Sequence, residues 1–317
     1  MAQSTPPIFL NDDAVASHLR WKPLLEAVGQ SMAEFSRRDG AVCQPVRISI
    51  PLAQHDGWFG SMSAYSRQAS SIATKLVTSY PNNISCPKIQ STVLLHRPED
   101  GRLLALMSGE HITACRTAAA SVVAACRLAP SCQVLAVLGS GVQARSHAQA
   151  FVAADCGVEE VRISARNAVA ATQLTSSLAD EFPGVRFVYY ESARLCVDGA
   201  DVINTTTASP DPILMDNWVG KDGVHINVVG GRVPHKTELE PALLRRATVY
   251  TDSREGAASE MGPINVDIYG EVGEVLNETL PVKSGGVTAF LSFGMAVEDV
   301  VAARLVWDSY CASQSPC

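Results

Sequence analysis

The segment VLAVLGSGVQARSH, residues 134–147, decides the fold. Its five leading apolar residues end on a glycine, a run too short for a helix and suited to a strand buried on both faces. Gly139, Gly141 and Ala144 then stand in G-x-G-x-x-A spacing, and a helix can start near Val142. The first glycine permits a tight turn and the second lets backbone approach a pyrophosphate. The small third residue allows close helix packing, and the helix N-terminus offers N–H groups to phosphate. A bare glycine triplet is weak evidence. Strand, turn and helix in this order form the start of a dinucleotide-binding unit.

The same pattern continues outward. Apolar runs at 161–165, 185–190, 201–206, 225–229 and 248–251 alternate with helical stretches. With the first strand they make six, as a parallel sheet covered by helices on both faces requires. The Rossmann domain is expected over 121–288. At the end of its second strand stand Ser164, Ala165, Arg166 and Asn167. A carboxylate there would accept from a ribose 2′-OH, whereas arginine pairs with a 2′-phosphate. Ala165, Arg166 and Asn167 therefore favour NADPH, with NADH the weaker alternative. The polar run 204–207, with Thr205 and Thr206, and the run 228–231, with Val228 and Gly230, lie at strand ends where open α/β sheets bind ligands. They are expected on the nicotinamide side, together with the turn residues Gly139, Gly141, Val142 and Gln143 on the phosphate side.

The flanking sequence reads differently. Asn11 and Asp12 can cap a helix, and behind Pro23 the residues Leu24, Val28, Met32 and Phe35 share one helical face. Short β-rich runs at 46–50, 72–78 and 92–96, separated by Gly and Pro turns, suit an antiparallel or mixed sheet. An alanine-rich helix is expected over 118–128. A last helix over 296–310 places Val297, Val300, Val301 and Leu305 on one side, to pack back on the first block. The chain is thus α/β, a Rossmann domain plus a discontinuous α+β domain formed by 1–120 and 289–317.

Composition limits the function. The 317 residues exceed one ordinary core and suit two. Apolar residues make up 47% and charged residues 18%, with a net charge of −7 and no basic block. That balance folds throughout and points away from nucleic acid and anionic membranes, toward a small-molecule partner. The N-terminus lacks a signal-peptide pattern, and no apolar run approaches the roughly 18 residues of a membrane span. The nine cysteines are irregularly spaced, with no C-x-x-C pair and no histidine at zinc spacing. No metal is expected. Reduced thiols packed as small hydrophobes in a cytoplasmic protein are the simpler reading.

Three cations of the first block sit among apolar or small residues: Arg47 in QPVRISI, Lys75 in IATKLVT and Arg116 in ITACRTAAA. Separated cations are usually snorkelling or paired structural residues. If they converge, Arg47 and Arg116 can grip a carboxylate and leave Lys75 near a reacting C=N or C=O as orienting group or proton donor. His147 reads as a packed helix histidine and His225 as part of a buried strand. Glu298 and Asp299 read as carboxylates favouring a helix N-terminal dipole, with no chemistry assigned.

The strings QPVR (44–47), ATKLVT (73–78), ITACRTAA (112–119), VLGSGVQARSH (137–147), PILMDNWV (212–219), HINVVGG (225–231) and SFGMAVEDVVAARLVWDS (292–309) resemble the ornithine cyclodeaminase/mu-crystallin family, and most closely its ketimine-reducing members. The resemblance spans nearly the whole chain in order. It implies a homodimer whose first domain supplies both the dimer sheet and the substrate pocket. It also implies cyclic ketimine carboxylates of the piperideine- or pyrroline-2-carboxylate type as substrates, reduced by hydride transfer from NADPH. It assigns Arg47, Lys75 and Arg116 to the substrate, and Arg116, Thr117, Gln143, Arg166 and Ser292 to the cofactor. Two positions depart from the ornithine cyclodeaminases: Arg232 replaces an Asp after the glycine pair, and Gly60-Ser61 replaces a Glu. Both changes remove anions that would hold a diamino acid, which argues against cyclodeamination and for a cationic pocket lacking carboxylates, with Arg232 a further substrate contact. The alternatives are reductive amination or N-alkylamination of a 2-oxo acid, as in related alanine dehydrogenases, and, from another class, an NADPH-bound protein that binds thyroid hormone or accumulates as lens structural protein.

Overall fold

In the computed structural model, residues 6–230, 238–261, 266–283 and 285–314 are described. They form two compact units, one from residues 1–116 with 295–317 and one from 117–294. The first boundary falls inside a helix, four residues before the expected 121, and the second falls after the expected 288.

The first unit contains β1 (Ile8–Leu10), α1 (Asp12–His18), α2 (Trp21–Arg37), β2 (Val42–Cys43), β3 (Ile48–Leu52), β4 (Gly57–Ser66), β5 (Ser71–Ser79), β6 (Ile89–His96), β7 (Leu103–Ser108), and the start of α3 (Glu110–Leu128). The seven strands form a mixed sheet in the order β1-β7-β6-β5-β4-β2, with β3 also on β4. Only β1 runs parallel to its neighbour. The Asn11 side chain caps α1 by accepting from the Ala14 N–H, and α2 buries Leu24, Val28, Met32 and Phe35 as its periodicity predicts. Two strands escape a reading by propensity. β4 buries small residues, Gly60, Ala64 and Ser66, beside Met62, and β7 (LLALMS) has helix-forming composition. Pairing with β5 and with β6 overrides both preferences. The helix α3 begins at Glu110, eight residues before the expected 118.

The second unit contains β8 (Val134–Leu138), α4 (Val142–Ala153), β9 (Glu160–Ser164), α5 (Ala168–Glu181), β10 (Arg186–Tyr189), α6 (Ala193–Val197), β11 (Val202–Thr205), β12 (His225–Val228), α7 (Pro241–Arg246), β13 (Thr248–Thr251), α8 (Arg254–Glu260), β14 (Ile268–Glu271), α9 (Val272–Leu276) and β15 (Thr288–Leu291). Its eight strands are all parallel, in the order β10-β9-β8-β11-β12-β15-β13-β14. Two strands therefore add to the expected six. β15 inserts between β12 and β13, and its TAFL segment is buried at all four positions. The sheet core is apolar, with Ala136, Ile203, Ile226, Val249 and Ala289 fully or nearly fully buried. The final helix α10 (Ala296–Gln314) belongs to the first unit, where it packs on α2, β4 and β5.

The cysteines depart from expectation. Of the described ones Cys115, Cys132 and Cys196 are buried, Cys156 is half-buried, and Cys43, Cys86, Cys126 and Cys311 are exposed; no disulfide joins any two of them.

Candidate active site

Strand β5 alternates buried and half-buried positions, and Lys75 falls on the buried side with Ala73 and Val77. In register it lies between Met62 of β4 and Val93 of β6, with Met107 of β7 beyond. An ammonium in that apolar row, 1% exposed, needs a counter-ion. The first turn of α10 supplies one. Lys75 Nζ donates to Asp299 Oδ1 at 2.8 Å, and Arg116 Nη1 of α3 donates to Glu298 Oε2 at 2.7 Å. Arg116 Nε also stands 3.3 Å from Asp299 Oδ1. The two carboxylates sit where the α10 dipole favours negative charge, and the Met295 N–H reaches Glu298 Oε2 at 3.3 Å. Gln44 Oε1 accepts the Val297 N–H at 2.9 Å, so the segment leading to Arg47 is tied to the same helix turn.

The electrostatics follow from this packing. Burial first, then the charge of Arg116 and, to a smaller extent, that of Arg47 push the Lys75 ammonium down to about 7 against the opposing pull of Asp299. The structure thus brings Lys75 and Arg116 into direct contact with one carboxylate pair and places Arg47 close enough to act on Lys75. The expectation of a pocket lacking carboxylates is corrected. Glu298 and Asp299 are in the first helical turn as expected, but they are buried counter-ions of the expected substrate residues. The other oxygen of Asp299, Oδ2, is buried without a hydrogen-bond partner among the described residues. Arg232 lies outside the described residues.

In the second unit the strand order reverses at β8, between β9 and β11, and most of the residues expected around a dinucleotide lie at or just past strand C-termini on this edge, whereas Arg116 and Thr117 lie inside α3. Gly139 follows β8 with φ +139°, and a Cβ there would lie 2.4 Å from Thr206 Oγ1. Gly141 is the N-cap of α4, places no side chain on the helix N-terminus, and has open space where a Cβ would point. The first turn of α4, with Val142 exposed and Gln143 half-buried, therefore presents backbone as a pyrophosphate cradle needs. Gln143 Oε1 is buried without a partner among the described residues. Past β9, Arg166 is exposed and no carboxylate stands at 164–167. Asn167 caps α5 through its Oδ1, accepting from Ala170 N at 3.1 Å, so its side chain serves the helix. Thr205 is fully buried at the end of β11, and Thr206 Oγ1 donates to Leu138 O. Val228 ends β12, and Ser292 N donates to its carbonyl at 3.1 Å. Thr117 is a buried α3 residue, next to Arg116 in the chain. These residues fit a nicotinamide dinucleotide. His147 and His225 are packed as expected, bonded to Ser121 and to Thr288 and Asn227, and burial pushes each imidazole down to about 4.

The model of the ornithine cyclodeaminase/mu-crystallin family matches residues 6–314. The chain belongs to that family. It is 43% identical over 312 residues to ketimine reductase mu-crystallin of Mus musculus, covering 96% of this chain and 97% of the relative. Among solved structures it resembles Thermococcus litoralis Δ1-pyrroline-2-carboxylate reductase in complex with NADH and L-proline, at 27% identity and TM-score 0.90, covering 96% of this chain and 98% of that one. It also resembles an archaeal alanine dehydrogenase dimer with bound NAD, at 25% identity and TM-score 0.88, covering 98% of each chain. Glu298 and Asp299 are hard to single out in the sequence. Both lie inside the matching SFGMAVEDVV string, yet a first-turn carboxylate pair has the same appearance whether it faces water or a buried lysine.

Proposed function

We propose that this protein is a nicotinamide-dependent oxidoreductase that reduces the C=N bond of cyclic ketimine carboxylates of the piperideine- or pyrroline-2-carboxylate type. The observation that carries the reading is Lys75, a buried ammonium of near-neutral acidity in an apolar row whose Nζ donates to Asp299 Oδ1, the oxygen that Arg116 also approaches. Reduction of an imine needs a hydride at carbon and a proton at nitrogen. The bound dinucleotide supplies the hydride. Lys75 supplies the proton to the nitrogen that receives the C=N π pair, and Asp299 keeps the ammonium aimed and available at neutral pH. Arg47 and Arg116 complement the substrate carboxylate, with Glu298 fixing the Arg116 guanidinium in the plane that bidentate binding needs.

Gly139, Gly141, Val142 and Gln143 hold the pyrophosphate, Ala165 and Arg166 the adenosine end, and Thr205, Thr206, Val228, Gly230 and Ser292 the nicotinamide side, with Thr117 beside the cofactor. NADPH is the preferred form. Arg166, with no carboxylate nearby to accept from a ribose 2′-OH, supports that choice, although the solved relatives named above carry NADH and NAD. The protein works as a homodimer in the cytoplasm. Support comes from the dimeric archaeal relative, from Val46, Ile48 and Ile50 exposed on and next to β3, and from described cysteines that form no disulfide with one another.

The test is dinucleotide oxidation at 340 nm with piperideine-2-carboxylate, pyrroline-2-carboxylate, and pyruvate with ammonia or methylamine, run with NADPH and with NADH. Fast turnover of a cyclic ketimine with NADPH is expected. Turnover confined to pyruvate with ammonia would replace the reading by reductive amination, and NADH outperforming NADPH would overturn the role of Arg166.

A further inference from the structure

We infer that Glu238 is a positioning residue that clamps together the two loops on the nicotinamide side of the cofactor site, an inference that rests on the dinucleotide-dependent reading above. Glu238 is fully buried, and its carboxylate meets hydrogen-bond donors rather than a cation among the described residues. A lone carboxylate in that position is costly unless hydrogen bonds replace its water. Its two oxygens divide the work. Oε1 accepts from both the N–H and the Oγ1 of Thr207, each at 2.6 Å, and Oε2 accepts from the Gly230 N–H at 2.8 Å. Thr207 follows β11 and Gly230 follows β12, so one side chain joins the ends of two neighbouring strands.

The clamp is anchored from behind and extends forward. The Glu238 carbonyl accepts from Ile213 N at 2.7 Å and Leu214 N at 3.0 Å, which fixes where its side chain begins. The loops it joins almost touch. A Cβ on Gly230 would lie 1.8 Å from Thr207 O and 2.8 Å from the Glu238 carboxyl carbon, so that position accepts only glycine. One residue before Thr207, Thr206 bonds Leu138 O through both its N–H and its Oγ1, at 2.9 and 3.1 Å, and fills the space over Gly139. The carboxylate thereby sets Thr205, Thr206 and Gly230 with the glycine turn as reference. Only a carboxylate serves both ends, because glutamine has one acceptor oxygen and would turn its NH2 toward an N–H donor.

The test uses the full-length protein and two ligands, NADPH and 2′-phospho-ADP-ribose, which lacks only the nicotinamide. In Glu238→Gln the dissociation constant for NADPH rises about tenfold, as loss of one charge-assisted hydrogen bond implies, and that for the fragment stays within about twofold. Thr207→Val, which removes one of the three donors and keeps the backbone bond, shows the same split at smaller size and serves if the Gln variant does not fold. Parallel losses for both ligands, or an unchanged NADPH constant, would overturn the clamp. A wild-type protein that binds neither ligand would overturn the dinucleotide reading and the clamp with it.

Discussion

At the residue scale the proposed chemistry rests on the proton of Lys75. A proton donor must be charged to act, and burial with Arg116 holds this group near 7. The kcat/KM for ketimine reduction is therefore expected to fall as pH rises through about 7. The fall in kcat should lie at higher pH, because a bound substrate carboxylate favours the ammonium. Lys75→Met should lose the limb and lower kcat by about 10²–10⁴. A full pH–rate profile of both proteins checks this, and a limb that survives in the variant belongs to another group. Asp299 raises the Lys75 pKa, so Asp299→Asn should move the limb to lower pH. It should also destabilise the fold by about 3–5 kcal/mol, the usual cost of stranding one partner of a buried pair, as read by urea denaturation. Lys75 stands out in sequence because a cation interrupts an alternating strand. Its partners on α10 do not, since they lie 224 residues away for Asp299 and 182 for the Arg116–Glu298 pair.

At the element scale the turn between β8 and α4 separates a structural glycine from a ligand glycine. Gly139→Ala meets Thr206 Oγ1 at 2.4 Å with φ at +139°, whereas Gly141→Ala points into open space. The first change should lower both the melting temperature and dinucleotide affinity. The second should leave the apo-protein melting temperature within about 2 °C and weaken only the dinucleotide, since a surface change without strain costs little. Thermal melts with and without NADPH distinguish them, and an unaffected NADPH response in Gly141→Ala would remove the glycine from the cradle. Elements with strong period or a strand–turn–helix sequence were legible: β8, α4, the apolar face of α2, and α10. β4, β7 and β15 were not. Each has small or helix-forming residues, and each is a strand because a neighbouring strand pairs with it.

At the scale of the whole molecule the chain has one parallel sheet and one mixed sheet. The mixed sheet carries α10 on one side and presents Ile48 and Ile50 of β3 exposed, at 65% and 48%. In the proposed homodimer, apolar side chains in that position would lie in the interface, so Ile48→Asp should shift the protein toward monomer at micromolar concentration by analytical ultracentrifugation. A wild-type protein that sediments as a monomer would remove the dimer. Ligand binding acts on the fold as a whole: NADPH at 100 times its dissociation constant should add about 2.7 kcal/mol of stability, visible as a concentration-dependent melting temperature.

By itself the sequence determined the parallel sheet, the dinucleotide turn and the three cations, because each is written in local order: a buried run, a glycine spacing, a charge where an apolar residue belongs. Tertiary structure alone decided that β15 inserts beside β12, that Glu238 joins two strand ends, and that Glu298 and Asp299 face Lys75 and Arg116. The physical reason is common to all three. Burial and hydrogen bonding depend on which segments meet in space, and a carboxylate or a four-residue apolar run has no local feature that names its distant partner.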